Sequence, residues 1–414
     1  MMSSNNPVLT GEYGLHNHRI LFALLVLSNF FVGGMVGLER TVLPLLAEAE
    51  FGLTSTAAAL SFIASFGVSK AIVNFFAGRL SDHYGRKVVL LTGWLIAVPI
   101  PYILINAEAW RWILLANVLL GVSQAFTWSM TVVMKVDIAG SKQRGFAIGL
   151  NEFAGYGGVA VIALLSGLIA EQFQLRPEPF YLGYLLIAIG LLLAVVVKDT
   201  RQFVEPVSEQ EHQATPLSLF SVFKQTTWQN ASLSSASVSG LMTNFKDGML
   251  WGLLPIYLLS QLNSGYMTLT DISIIVATYP VVWSVLQLIF GPWSDRVGRK
   301  KLVVFGLIVQ SIGIYSFVLV GSFIGHLLAA AIVGMGTAMV YPTLLALISD
   351  VAPTHWRATS LGIYRFWRDL GYALGAISAG LLSDLLNIHW TLTIVALLVL
   401  LAAISGQIRI KSGL

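Results

Sequence analysis

Nine ionisable side chains lie inside long apolar stretches of this 414-residue sequence. An ionised side chain at the centre of a bilayer costs roughly 2.5–3.5 kcal/mol on insertion scales. Such side chains are expected to face protein or a water-filled cavity, where carboxylates can carry protons and cationic groups can bind anions. The nine are Glu39, Arg40, Lys70, Glu152, Lys246, Asp247, Arg365, Arg368 and Asp369.

The four carboxyl groups in this set are candidates for proton exchange, because desolvation disfavours the charged form of a carboxyl group. Glu152 is an isolated acid next to Asn151. A purely structural alternative is that it binds a polar side chain on a later helix, such as Gln287. The proton-coupling candidates are Glu39, Glu152, Asp247 and Asp369.

Basic, polar and aromatic side chains at similar depth could contact a substrate. Lys70 and Arg365 each lie about 12 Å from the predicted membrane edge at 1.5 Å per residue, and we expect Lys70 to approach Asp369. A permanent ion pair with a structural role is the alternative. Trp251, near a helix end, is predicted to belong to the interfacial aromatic belt. The substrate-binding candidates are Arg40, Lys70, Asn117, Trp128, Lys246, Tyr341 and Arg365.

Two of the buried charge pairs are neighbours in sequence, Glu39 with Arg40 and Lys246 with Asp247. Adjacent residues project about 100° apart on a helix. We therefore expect that the two members of a pair do not share one direction and that at least one of each faces a central cavity.

The composition is typical of membrane proteins, with 56% hydrophobic and only 11% charged residues, against about 25% charged in soluble domains. Cysteine is absent, which excludes disulfides, thiolate metal sites and a cysteine nucleophile. The sequence contains no phosphate-binding P-loop, no HExxH and no GxSxG, and it predicts no enzyme, no cofactor and no metal site. The net charge of +4 is explained by membrane topology and does not indicate nucleic-acid binding.

Twelve apolar segments are long enough to cross a bilayer, which takes about 20 residues in a helix. The first is too long for the core of a signal peptide and is predicted to be retained. The predicted organisation is a tail 1–18, six spans in 19–197, a linker 198–227, six spans in 228–408 and a tail 409–414. The spans lie near 19–46, 56–78, 88–106, 111–134, 144–170, 179–197, 228–260, 270–292, 301–321, 326–349, 357–383 and 389–408.

Most of the 24 Lys and Arg residues fall on one side of this arrangement, in the tails, the linker and alternate loops. Cytoplasmic loops carry such an excess, so both termini are predicted to be cytoplasmic. We expect an integral protein of a bacterial inner membrane that acts as a monomer in the lipid bilayer.

The stretch Gly78-Arg-Leu-Ser-Asp82-His-Tyr-Gly85-Arg86-Lys87 recurs in the second half of the chain as Gly291-Pro-Trp-Ser-Asp295-Arg-Val-Gly298-Arg299-Lys300. The offset in numbering from Gly78 to Gly291 also relates Asp137 to Asp350 and Glu152 to Arg365. Several matches at one offset predict two homologous halves. Because both halves start on the same side, they are parallel repeats about an axis along the membrane normal, and substrate is expected at their interface near the midplane.

These two stretches resemble the motif between helices 2 and 3 of the major facilitator superfamily, and the second copy departs from it only at Trp293. The resemblance implies an all-α membrane protein whose twelve transmembrane helices form two six-helix bundles related by a pseudo-two-fold axis along the membrane normal. It also implies that helices 1, 4, 7 and 10 line a central cavity. Across the halves, helix 2 would meet helix 11, and helix 5 would meet helix 8.

In that family the motif is taken to lock the outward-facing state. The resemblance implies that Asp82 meets the start of helix 11 and that the basic residues meet Asp137 at the end of helix 4. An alternative is that these residues only fix topology. The gating residues implied are Gly78, Asp82, Gly85, Arg86, Lys87, Asp137, Gly291, Asp295, Gly298, Arg299 and Lys300.

The sequence departs from the pattern of the family's drug–proton antiporters in two places. Asn117 occupies the position where helix 4 of those proteins carries an arginine, although Gly121 follows as expected. In helix 5 the segment 155–158 reads Gly-Tyr-Gly-Gly, without the usual proline.

Three functions are compatible with these features. The first is proton-coupled efflux of a small lipophilic compound, cations included, which would use the buried acids. The second is a carrier of organic anions, which would use the buried basic residues in import or exchange. The third, from another class, is a membrane receptor on the same fold that transports nothing.

Overall fold

The computed structural model describes residues 17–203, 218–263 and 267–411. Much of the predicted tail 1–18, the middle of the predicted linker 198–227 and the end of the predicted tail 409–414 lie outside the described residues. Within the described ranges, every regular element is a helix.

The first half contains six membrane-spanning helices. Helix α1 is broken at Thr41 into Arg19–Arg40 and Val42–Ala49, because Pro44 lacks an N–H and its ring clashes with the carbonyl of the residue four positions earlier. The others are α2 Thr56–Tyr84, α3 Arg86–Ala97 continuing as Pro99–Asn106, α4 Trp110–Ala139, α5 Phe146–Gln172 and α6 Glu178–Val196.

The second half repeats this series after a short helix, Leu219–Lys224. Its helices are α7 Ala231–Asn263, α8 Leu269–Val297, α9 Arg299–Leu319, α10 Phe323–Val351, α11 Thr354–Leu385 and α12 Ile388–Arg409. Within the described ranges, ten of the twelve are long and apolar enough to cross a membrane. The other two, α7 and α11, carry many serines or buried charges. The predicted all-helical membrane fold class is confirmed, and the twelve helices agree with the predicted layout.

The backbone stays helical from Trp110 to Gln172, but the chain reverses between α4 and α5. Trp128 and Glu152 are 24 residues apart and are joined by a hydrogen bond of 3.0 Å. A straight helix would separate them by about 36 Å at 1.5 Å per residue. The two spans therefore lie side by side, as two helices of one bundle.

The packing of α1 on α5 is repeated by α7 on α11. A Cβ placed on Gly37 would lie 2.3 Å from the carbonyl oxygen of Val159, and one on Gly248 would lie 2.2 Å from that of Tyr372. Val159 and Tyr372 are related by the same offset in numbering as the two copies of the motif. The repeat seen in the sequence is therefore also a repeat of close helix contacts, which only glycine permits here.

The two halves are in close contact at one end and apart at the other. We call the end that carries the two copies of the motif the motif end, and the opposite end the far end. Towards the far end, a Cβ on Gly380 would lie 2.4 Å from Ala57 of the other half. Near the motif end, a Cβ on Gly78, Gly149 or Gly362 would meet no atom within 4 Å. A cleft between the halves thus opens at the motif end.

Candidate functional site

The bottom of this cleft contains an ion pair formed by two neighbours on α11. Arg368 donates to Asp369 with Nη2 at 2.8 Å, and Asn74 of α2 donates to the other oxygen of the same carboxylate at 2.5 Å. Arg368 also donates to the hydroxyl of Tyr341 on α10 at 2.5 Å. The carboxylate of Asp369 is fully buried, and these partners from both halves compensate its charge.

A second neighbouring pair lies on α7 and is sealed from solvent. Lys246 and Asp247 form an ion pair, and Tyr279 of α8 accepts a hydrogen bond from Lys246 at 2.6 Å and donates one to Asp247. Both charged side chains are completely buried. The two charged ends meet although neighbouring residues leave a helix about 100° apart, and the expected direction of one of them towards a central cavity stays a prediction.

Lys70 and Arg365 differ from these residues, because neither forms a hydrogen bond or ion pair with any described residue. Asp369 is among the charges that act on Lys70, but the two groups form no hydrogen bond or ion pair with each other. The ammonium of Lys70 lies 5.2 Å from the ring of Phe66, 5.4 Å from Trp128 and 5.5 Å from Tyr372, and cations are attracted to ring faces within about 6 Å. Arg365 is partly exposed, so its guanidinium can reach the cleft.

Glu152 is the acid of the cleft that has no ion-pair partner among the described residues. Its Oε1 accepts hydrogen bonds from the Trp128 indole and the Asn151 amide, both at 3.0 Å. Its Oε2 is buried and has no partner, and the amide of Gln287 is also unpaired. The structural alternative that joined Glu152 to Gln287 is therefore not what the structure shows.

Aromatic rings from both halves form the floor beside Glu152. The ring centroids of Tyr156 and Trp283 are 3.5 Å apart, and those of Tyr156 and Tyr341 are 5.8 Å apart. Trp128 lies 5.2 Å from Tyr156. Tyr156, Trp283 and Tyr341 are almost fully buried where the halves meet, so the floor is a packed apolar layer that also contains tyrosine hydroxyl groups.

Arg40 is buried between the two halves. Its guanidinium lies 4.3 Å from the ring centroid of Trp251 on the opposite half, and its nitrogens have no hydrogen-bond partner among the described residues. Trp251 is only 5% exposed and stacks on Tyr372 at 4.7 Å. The prediction that Trp251 belongs to an interfacial belt was wrong, since the ring lies between the halves.

Glu39 and Asn117 are buried next to each other, close to Arg40. Both oxygens of Glu39 and the amide oxygen of Asn117 lack a partner at hydrogen-bond distance within the described part of the chain. The amide nitrogen of Asn117 donates to the backbone of its own helix at 3.1 Å. The charge of the adjacent Arg40 offsets that of Glu39. The Glu39–Asn117 region thus provides polar groups whose hydrogen bonds are not satisfied in this conformation.

Sequence reasoning missed one buried charge, Lys135. Its side chain is completely buried in α4 and donates to the backbone oxygen of Leu25 at 2.9 Å. The predicted span ended one residue earlier, which assigned Lys135 to a loop. The signal that could have found it is the apolar run that continues through Val136 and Ile138.

Both copies of the motif form the same local network. Arg86 pairs with Asp82 and with Asp137 at 3.4 Å, and Arg299 pairs with Asp295 and with Asp350 at 3.0 Å. The expected contact of the basic motif residue with Asp137 is thus present. The turns need Gly85 (φ +108°) and Gly298 (φ +98°), because other residues rarely adopt positive φ.

Asp82 does not form the expected lock on α11 in this conformation. Its side chain is 71% exposed, and its described ion-pair partner is Arg86 of its own half. Lys87 donates to the backbone oxygen of Val195 at 2.6 Å, and its backbone N–H donates to Asp199. Partial burial would raise the pKa of Asp199, but hydrogen bonds from the Arg201 and Lys87 backbone hold that pKa below its usual value.

The described residues contain no group of three or more metal-ligating side chains. The features that could act on a solute are therefore the two cations Lys70 and Arg365, the lone acid Glu152 and the aromatic floor.

The sequence and the fold are similar to those of known transport proteins. The family model described as Major Facilitator Superfamily matches residues 25–245 and, as a second copy, 236–409. Multidrug resistance protein 2 of Bacillus subtilis (strain 168) is 26% identical over 380 residues, covering 90% of this chain and 91% of that protein. The probable 4-methylmuconolactone transporter of Cupriavidus pinatubonensis is 26% identical over 361 residues, covering 82% and 76%. The crystal structure of the nucleoside transporter NupG superposes with a TM-score of 0.74 at 15% identity, covering 94% of this chain and 99% of that chain.

Proposed function

The chain belongs to the Major Facilitator Superfamily, and from that premise we propose that it moves a small organic anion across the membrane as a proton-coupled secondary transporter. Its family and its relatives make it a transporter rather than an enzyme. The experiments below test whether the substrate is an anion, whether a proton is coupled to its transport and in which direction it moves.

The observation that carries the proposal is the excess of positive charge in the interior of the spans. Six buried or half-buried basic side chains lie in the interior of the described spans, away from their ends. Three of them, Arg40, Lys246 and Arg368, have an acidic neighbour in sequence, whereas Lys70, Lys135 and Arg365 do not. Glu152 is the one buried carboxylate in these described interiors that has no basic neighbour in sequence. A buried charge without a partner costs several kcal/mol, so an anion that enters the cleft would relieve a cost that is already present.

The chemistry of the cleft narrows the class of anion. Lys70 is held among aromatic rings, and Arg365 can bind a carboxylate or phosphate with two parallel hydrogen bonds. The floor formed by Tyr156, Trp283 and Tyr341 would hold an apolar or planar body. We therefore infer a monocarboxylate or similar anion with a hydrophobic portion.

Glu152 is the group that we propose exchanges protons. It lies between Trp128 and Asn151 with one oxygen unpaired, and it occupies the position equivalent to Arg365 in the other half. A proton on Glu152 and an anion on Arg365 would thus face each other across the pseudo-two-fold axis. If the motif end is cytoplasmic, as the charge distribution predicts, the structure represents an inward-facing state.

Proton-coupled efflux of lipophilic cations is the second candidate, because Glu152 lies against the ring of Trp128 and a multidrug resistance protein is among the relatives. The charge balance of the cleft opposes it, since a cation would have to approach Lys70 and Arg365. Binding measurements separate the two candidates directly.

The test uses thermal unfolding of the purified protein with a set of aromatic carboxylates and a set of lipophilic cations, because a ligand that binds the native state raises its stability. We expect stabilisation by carboxylates. Each of Lys70→Gln and Arg365→Gln should weaken their binding by roughly 10–150-fold, since a hydrogen bond to a charged group contributes about 1.5–3 kcal/mol. The exposed Arg296 provides the matched control, Arg296→Gln. Stabilisation by cations alone would refute the anion proposal.

The role of Glu152 is tested in proteoliposomes. Glu152→Gln keeps the hydrogen bonds from Trp128 and Asn151 possible but removes the titrating group. We expect loss of uptake driven by a pH gradient, while exchange of labelled for unlabelled substrate continues. Gradient-driven uptake at the unaltered rate would show that the proton is carried elsewhere.

A further inference from the structure

Two carboxylates join the halves at the far end, and neither belongs to the cleft. Asp384, near the end of α11, accepts hydrogen bonds from the Ser55 hydroxyl at 2.6 Å and from the backbone N–H groups of Thr56 at 2.6 Å and Ala57 at 3.1 Å. The first N–H groups of a helix have no partner within that helix, and they carry the positive end of its dipole. The second half thus caps α2 of the first half.

A similar contact joins α5 of the first half to α8 of the second half. Glu171, near the end of α5, accepts a hydrogen bond from the hydroxyl of Thr270 in the first turn of α8. Glu171 corresponds to Asp384, and Ala57 to Thr270, at the same offset in numbering that relates the two copies of the motif. The internal repeat therefore places one acid from each half on the start of a helix of the other half.

These contacts are compatible only with a closed far end. If the far end opens, α2 must leave α11 and α5 must leave α8, which breaks both contacts. The freed N–H groups and carboxylates would then meet water, so the contacts can break and form again in each cycle. The motif-end acids Asp82 and Asp295 bind arginines of their own half at the same time.

We propose that Asp384 and Glu171 are positioning residues of the transport cycle, a pair of carboxylate latches that hold the far end closed and set the ratio of the two open states. This inference does not depend on which substrate is carried. Loss of a helix cap is equivalent to roughly a 5–30-fold change in an equilibrium constant, and we expect loss of the Asp384 latch to shift the ratio by that factor. The shift should be smaller for Glu171, whose contact is one hydrogen bond from a hydroxyl group.

The absence of native cysteine allows a direct test by single-cysteine labelling. Leu60→Cys reports on the far end, because Leu60 is 1% exposed and packs against Gly252 of the other half. Gly362→Cys reports on the motif end, where an added Cβ meets nothing. Each reporter is combined with Asp384→Ala, Glu171→Ala or both, in proteoliposomes, and the rate of reaction with a maleimide is measured.

The matched control is Ser322→Ala. The Ser322 hydroxyl accepts a hydrogen bond from the Gly325 N–H at 3.2 Å and caps α10 within one half. We expect labelling of the Leu60→Cys reporter to rise about 5–30-fold in the Asp384 variant and by a smaller factor in the Glu171 variant. Labelling of the Gly362→Cys reporter should fall in both, with neither change in the control.

Three results would overturn the proposal: no rise in the double variant, an equal rise in the control, or faster labelling of both reporters, which would mean general loosening. If Asp384→Ala does not fold, the proposal is tested with Asp384→Asn, because asparagine keeps an oxygen acceptor but loses the charge. It should shift the two reporters in the same directions by a smaller factor, and an unchanged rate would again refute the latch.

Discussion

Removing Lys246 should destabilise the protein more than removing both members of its ion pair. In Lys246→Met the carboxylate of Asp247 stays completely buried and keeps only the Tyr279 hydroxyl as a described hydrogen-bond donor. Breaking a buried pair in this way costs about 3–5 kcal/mol, whereas replacing the whole pair by apolar side chains is often neutral or stabilising by about 1–4 kcal/mol. The triple variant Lys246→Met, Asp247→Leu, Tyr279→Phe removes every polar member of the cluster.

The free energy of unfolding is measured by titration with sodium dodecyl sulfate in mixed micelles. We expect a loss of about 3–5 kcal/mol for Lys246→Met and recovery of most of it in the triple variant. Equal loss in both variants would refute the reasoning, because it would mean that the cluster stabilises the fold as a unit. Transport by the triple variant then tests the prediction that Asp247 exchanges protons. A stable protein that transports at the native rate removes Asp247 from the proton path.

Three further predictions concern packing and surface charge. Gly33→Ala should cost more than about 3 kcal/mol, because its Cβ would lie 1.9 Å from the carbonyl oxygen of Gly155, while Gly149→Ala, with no atom near, should be neutral in the same titration. Asp199→Asn should lower the free energy of unfolding by the same amount throughout the range from about pH 5 to 8. The pKa of Asp199 in the folded protein lies below 3.8. Such a carboxylate contributes fully to stability above its unfolded pKa and loses this contribution as the pH falls through its folded pKa. The difference in stability between native and variant protein should shrink in acid unfolding as the pH falls below 3.8. Asp82→Asn should change the unfolding free energy by less than about 0.5 kcal/mol, because the side chain is 71% exposed, and a larger loss would mean that Asp82 has a buried partner.

The membrane class, the number of spans and the internal repeat could be predicted because they depend on local composition. The length of an apolar run reports whether a helix can cross a bilayer, and the constant offset between the two copies of the motif is visible without coordinates. One error concerned the end of a predicted span. Lys135, one residue beyond a predicted span, is completely buried, because the apolar run continues on one face of the helix past the charge.

The direct partners of the buried charges could not be predicted to the same degree. Helical spacing fixes the direction of a side chain relative to its own helix, but the rotation and tilt of the neighbouring helix decide what it meets. Lys70 was expected to approach Asp369, and the groups that surround its ammonium are three aromatic rings. The residue of the other half that donates a hydrogen bond to Asp369 is Asn74. Its side chain is neutral, so a search for charged residues does not find it.

The sequence alone determined that this chain is a helical membrane protein of two related halves with ionisable groups at its centre, because hydropathy, charge distribution and repeat spacing are properties of the chain itself. Only the tertiary structure decided which of those groups form ion pairs and which do not. It also decided that Trp251 lies between the halves against Arg40 instead of at the membrane surface, and that Asp384 caps a helix 327 positions away from it in sequence. Such contacts depend on how twelve helices pack around one axis, and no local pattern specifies that arrangement.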